Sequence, residues 1–146
     1  MNAGRRHADD GSILPLAIFY GVLCIVVVFL ASSVTSLYLE RERLFALADA
    51  AALAGAEAYD LHAIAVVDGH PRPPLHTAAV RDAVADFVAS AAADGFDALR
   101  VRRADTEDSR GATVTLSAEW HPPIVSIFVP TGIRIDVTSR ARSVFQ

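Results

Sequence analysis

Hydrophobic positions change rhythm along this chain of 146 residues, and each rhythm predicts a different element. From Ile13 to Leu37 they are nearly continuous: the run ILPLAIFYGVLCIVVVFLASSVTSL holds no charged residue, and fifteen of its twenty-five residues are Ile, Leu, Val or Phe. About 20 residues rising ~1.5 Å each cross a ~30 Å hydrocarbon layer, so this run is long enough to span a bilayer with some tilt. Each of the fifteen favours the bilayer centre by roughly 0.3–0.6 kcal/mol. No soluble core helix requires an apolar surface on every side. Pro15 falls in the first turn, where it breaks no helical hydrogen bond, and Gly11 and Ser12 stand before it as candidate caps.

Past Leu37 the pattern becomes one-sided without a break in helix propensity. Residues 37–58, LYLERERLFALADAAALAGAEA, contain no proline, so one helix of about 45 residues, roughly 70 Å long, is expected. In its polar half Leu44, Ala48, Ala51 and Gly55 share a narrow face by i, i+4, i+7 and i+11 spacing. Such a face is nearly flat and admits a close neighbour. Packing against the chain's own domain is the favoured expectation, with pairing to a second protein as the alternative.

The remainder alternates between turn signals and shorter periods. Asp68-Gly69-His70-Pro71-Arg72-Pro73-Pro74 reads as a loop. Thr77 to Ala93 reads as a second helix, with Val80, Val84, Phe87, Val88 and Ala91 on one face and Asp82 and Asp86 opposite, capped by Thr77 and ended by Gly95. Leu99 and Val101 alternate with Arg100 and Arg102. After a polar turn from Asp105 to Gly111, Val114, Leu116, Ala118 and Trp120 alternate with Thr113, Thr115, Ser117 and Glu119. Ile124 to Val129 is an apolar short helix or loop between prolines. A last strand runs from about Ile133 to Phe145, with Ile133, Ile135, Val137, Ser139 and Ala141 inward and Arg134, Asp136, Thr138, Arg140 and Arg142 outward. Neither helix nor sheet buries its apolar stripe alone, so a two-layer α+β arrangement follows: the long helix and second helix covering a three-stranded antiparallel meander. The chain divides into a short tail at 1–12, a transmembrane helix at 13–37 and one domain at 38–146.

Composition narrows the function classes. The net charge of −4 mixes acid and base throughout and supplies no footprint for a nucleic acid. The outward arginines are interrupted by Glu119 and Asp136, so a solvated sheet face is expected in place of a basic docking patch. Cys24, the single cysteine, lies inside the apolar run and forms no intramolecular disulfide. Outside that run no nucleophile stands in a recognisable Ser, His and Asp frame, and no small-molecule substrate is implied. His62, His70 and His76 have irregular spacing and no thiolate support, which favours surface histidines over a metal site. No catalytic, cofactor-binding or metal-ligating residue is assigned. A cleaved signal peptide competes with the anchor, but the run exceeds the usual 7–15 residues of a signal core. Arg5 and Arg6 on one side match Arg41 and Arg43 on the other, leaving orientation tied by charge.

Three stretches together carry a resemblance: Asp10-Gly11-Ser12-Ile13-Leu14-Pro15-Leu16 before the apolar span, Leu37-Tyr38-Leu39-Glu40-Arg41-Glu42-Arg43-Leu44 after it, then Ala48-Asp49-Ala50-Ala51-Ala52-Leu53-Ala54. They resemble the N-terminal helix of the TadE/TadG-like Flp (tight adherence) pilus assembly proteins. The resemblance covers about a third of the chain. It implies a single-pass, non-enzymatic component of the cytoplasmic membrane with its N-terminus inside, a pilin-like domain outside, and partners among the pilus or secretion apparatus, itself included. One departure separates two roles within that family. Prepilins are cut after a Gly with a Glu five residues later; counted from Gly11 that position is Leu16, which favours a TadG-type accessory over a processed minor pilin. A secreted binding domain freed by signal cleavage is the remaining alternative.

Overall fold

The computed structural model describes residues 13–59, 65–67, 70–72, 74–91, 95–122 and 132–142. Helix α1 spans Ile13–Ala56, 44 residues without interruption, and α2 spans Thr77–Ala91. Two short strands, β1 (Ala65–Val67) and β2 (His70–Arg72), pair antiparallel with each other. Strands β3 (Asp97–Asp105), β4 (Gly111–Trp120) and β5 (Ile133–Arg142) form an antiparallel meander in the order β3-β4-β5. The molecule is therefore α+β, with the expected helices on one face of the expected sheet.

Two kinds of surface follow one another along α1. Its N-terminal half presents Ile18, Phe19, Val22, Ile25, Val28 and Phe29 to the outside, and an 18-residue window of mean hydropathy 2.9 has none of its residues buried. The hydroxyls near the end of this half do not interrupt it: Ser33 Oγ donates to the Phe29 carbonyl at 2.9 Å and Thr35 Oγ1 to the Ala31 carbonyl at 2.9 Å. A hydroxyl satisfied by its own helix is tolerated where no water is available. The C-terminal half instead buries one side, and its last turn closes with the Glu57 N–H donating to the Leu53 carbonyl.

The core lies between that side, α2 and the inner sheet face. Leu44, Ala48, Ala51, Ala52 and Ala56 of α1 meet Val80 and Val84 of α2 and Val114, Leu116, Ala118, Trp120, Ile135 and Val137 of the sheet. Along α2, Phe87 and Val88 are half-buried whereas Ala91 is exposed, so the packed face ends one turn earlier than its spacing implies. Thr77, expected as a cap, is the first helical residue, and the His76 carbonyl accepts the Val80 N–H at 3.1 Å.

Three expectations need correction. The stretch from Asp68 to Pro74, read as a loop, contains strand β2, which pairs with β1 just before that stretch, Val67 opposite His70. In β3 the simple alternation fails twice. The register shifts between Asp97 and Arg100 and again between Val101 and Arg103, each adding one residue relative to β4. An extra residue reverses the facing of everything after it. Ala104 thereby enters the core, and Arg103 joins Arg100 on the outer face. Finally, Thr113 and Ser117 of β4, expected at the solvated face, are only 5% and 4% exposed. Both sit on the middle strand, Thr113 between Asp105 and Arg140 and Ser117 between Arg100 and Asp136. Long side chains on the flanking strands cover short ones between them. The tail at 1–12, His62 and the apolar stretch 124–129 lie outside the described residues.

The first register shift contains Ala98 at φ 50, a left-handed conformation that costs an L-residue about 1–2 kcal/mol. Glycine removes that strain but loses more chain entropy on folding, a counter-term of roughly 0.5–1 kcal/mol. Ala98→Gly is therefore expected to stabilise the protein by about 0.5 kcal/mol, read as a raised thermal midpoint of the full chain in micelles.

Candidate functional site

The small-residue face of α1 is the candidate site, and all four of its predicted residues are buried within the chain itself. Leu44, Ala48 and Ala51 have no exposed surface, and Gly55 is buried beside them. A Cβ at Gly55 would stand 3.1 Å from the Ala112 Cβ, 3.1 Å from Val84 Cγ2 and 3.2 Å from Val80 Cγ1. Glycine inside a helix costs about 1 kcal/mol relative to alanine, so its presence here is tied to the closeness of the sheet and α2.

Two polar contacts, not foreseen from the sequence, fix where the helix sits along the sheet. Ser139 Oγ donates to Asp49 Oδ1 at 2.8 Å, and Trp120 Nε1 donates to Ser36 Oγ at a long 3.4 Å. The signals for them were present but short: one acid amid an alanine run, one Trp ending a strand, and a serine where the apolar span gives out.

The contacts also orient the sheet. From Ser36 to Gly55 the helix advances 19 residues, ~28 Å at ~1.5 Å per residue. Their partners, Trp120 and Ala112, are 8 residues apart on β4, ~27 Å at ~3.4 Å per residue. The intermediate pair agrees: Asp49 is 13 residues (~20 Å) beyond Ser36, and Ser139 pairs with Val114, 6 residues (~20 Å) from Trp120. Strand β4 thus runs nearly collinear with α1 and in the opposite direction. The Trp120 end of the sheet is level with the end of the apolar span, and the β3–β4 turn is at the far end.

At that far end the outer face is electrically balanced. Arg103 Nε meets Asp105 Oδ2 at 2.7 Å and its Nη2 meets Glu107 Oε1 at 2.8 Å. Arg140 reaches Glu107 at 3.5 Å, and Arg142 reaches Asp108 at 3.0 Å. These carboxylates raise the Arg103 pKa, with the hydrogen bond to Asp105 the largest cause. Asp108 accepts the backbone N–H groups of Arg110 at 3.0 Å and Gly111 at 3.1 Å. Its pKa is held below the ordinary carboxylate value by the Arg110 N–H first, then by the Arg142 charge and the Gly111 N–H. Near the other end His121 Nδ1 lies 3.2 Å from Asp97 Oδ2. Among the described residues no group of three or more His, Cys, Asp or Glu side chains converges on a metal position, and His76 is exposed at the start of α2. Cys24 is on the bare outer surface of the apolar half of α1.

Residues 11–58 match the Tad family model, described as Flp pilus-assembly TadE/G-like. The match covers about a third of the chain and ends two residues beyond α1. No curated protein matches the chain, and no solved structure does. The N-terminal third thus resembles a TadE/G-like Flp pilus-assembly segment, and the matched residues coincide with the helix that is apolar all round in one half and docked under a sheet in the other.

Two outcomes are expected. A large residue at Ala51 separates helix from sheet, so Ala51→Leu should lower unfolding stability of the full chain in micelles by about 1–3 kcal/mol. Unchanged unfolding alongside lost crosslinking to a neighbour in membranes would instead assign the face to an assembly. For Asp108 the folded pKa is depressed, so its contribution to the turn is complete above the unfolded carboxylate pKa and is lost as pH falls through the folded value. The Arg110 and Gly111 amide resonances should therefore titrate together below the ordinary carboxylate range, and loss of the Asp108 carboxylate by Asp108→Asn should abolish that titration.

Proposed function

We propose that this protein is a single-pass, non-enzymatic structural component of a Tad (Flp) pilus or related secretion apparatus, with the tail at 1–12 in the cytoplasm and residues 38–146 outside. The observation that carries the reading is the coincidence of the matched residues 11–58 with α1. The matched residues take in both the apolar half of α1 and its docked half, which is the equipment of a part that holds position in an assembly. A reaction centre would require convergent titratable groups in a cleft.

Within that reading the accessory role is preferred to the processed pilin. Leu16 occupies the position of the prepilin Glu, and it lies on the exposed apolar surface of α1. An apolar side chain cannot neutralise the free N-terminal amine of a neighbouring subunit. The partners are therefore the membrane and other apparatus proteins, a second copy of this chain included.

Cleavage and topology test the reading. Intact mass of the membrane-extracted protein should correspond to an unprocessed chain; a mature N-terminus at Ser12 would make it a processed pilin, and one near Val34 a secreted domain. Protease added outside spheroplasts should remove residues of the 38–146 region, and complete protection there would reverse the orientation.

A further inference from the structure

The depth of Ser36 in a bilayer follows from the helix alone. From Ile13 to Ser36 α1 advances 23 residues, ~35 Å at ~1.5 Å per residue. A hydrocarbon layer is ~30 Å thick, and ~40–45 Å with both headgroup regions. Even a span that begins at Ile13 therefore leaves Ser36 among the outer headgroups. Tyr38, 60% exposed, follows directly, and aromatic residues with a polar tip concentrate at that depth.

Trp120 is bonded to Ser36, and β4 runs along the helix axis, so the end of the sheet points at the bilayer instead of lying beside it. Trp120 itself is buried, but its register partner Ile133, the first residue of β5, is 48% exposed at this end. Behind it Gly132, at φ +65, leaves room for the His121 ring, whose Nε2 would stand 2.9 Å from a Cβ there. His121 in turn faces Asp97 at the start of β3. A half-exposed aliphatic side chain thus stands at the sheet end on the same face as Trp120, with His121 just past β4 and its partner Asp97 of β3 close by, at the level of Ser36.

We infer that this end of the domain, centred on Ile133 and backed by Trp120, is a second membrane-contact site that rests in the headgroup layer of the bilayer α1 crosses. The occupant is a lipid surface because the Trp120–Ser36 contact sets this end of the sheet level with the end of the apolar span of α1, at interfacial depth. This contact rests on the anchored reading proposed above. It converts a domain that could swing about a single helix into one seated on the membrane at two places.

The sole Trp and sole Cys of the chain, Trp120 and Cys24, make the test direct. The full chain is placed in phosphatidylcholine vesicles carrying bromine either high or low on the acyl chains. Trp120 emission should fall more with shallow bromine than with deep bromine, while Cys24 should resist an impermeant maleimide until detergent is added. Protected Cys24 with unquenched Trp120 would overturn the contact and leave the anchor standing; Cys24 labelled in intact vesicles would overturn both. Stronger quenching by deep bromine would place the sheet end in hydrocarbon and also overturn the headgroup location. In a Cys24→Ser background, a nitroxide at Ile133→Cys should be several-fold less accessible to an aqueous nickel chelate than one at Arg110→Cys at the far end. Equal accessibility would show that the sheet end stands in water.

Discussion

Close approach between α1 and the sheet is the constraint on which the rest of the structure depends. A single helix is long and apolar enough to cross a bilayer over one half and forms one wall of a protein core over the other, and the two halves carry opposite kinds of surface. In the first half the apolar surface faces every direction; in the second one narrow side is buried, and Ala48, Ala51, Ala52 and Gly55 keep that side thin. Because those residues contribute little volume, the larger side chains that fill the gap come from the other layer: Val80 and Val84 of α2, Val114 and Leu116 of β4. Interdigitation of this kind, small against large, reaches the density of a native interior without forcing rotamers.

The helix contributes more than cover. Its contacts at Ser36, Asp49 and Gly55 are spaced so that a helical rise and a strand rise match over ~27 Å, which holds β4 collinear with the anchor. A sheet lying across the helix would have met it over only a few residues. Collinearity lets β4 and β5 share the whole polar half of α1, leaving β3 to be covered by α2. It also sorts the two sheet ends: the paired acids and arginines of the β3–β4 turn stand farthest from the membrane end, and the Trp120 and Ile133 end stands closest. The charged end gains only modest energy from its exposed pairs.

The TadE/G-like match acquires a physical meaning from this arrangement. The acid of the Ala48-Asp49 step accepts a hydrogen bond from Ser139, which is itself buried, and the alanines around it are the surface on which the sheet sits. In this chain the matched segment is thus more than an apolar helix, because its C-terminal half forms one side of a domain interface. The second helix and the sheet supply the complementary side.

Much of this was legible in the sequence because it depends on local period. The continuous apolar run, the unbroken helix, the small-residue face, the second helix and the strand alternation of β4 and β5 each follow from side-chain spacing along one element. Burial of Thr113 and Ser117, inward turning of Ala104, and the pairing of Ser139 with Asp49 do not. The first needs flanking strands, the second an extra residue whose cost only a finished sheet can absorb, and the third a partner 90 positions away. Periodicity determines which side of an element is apolar. Where that side lands, and how far along its neighbour, is decided by contacts between elements, which no single element's pattern contains.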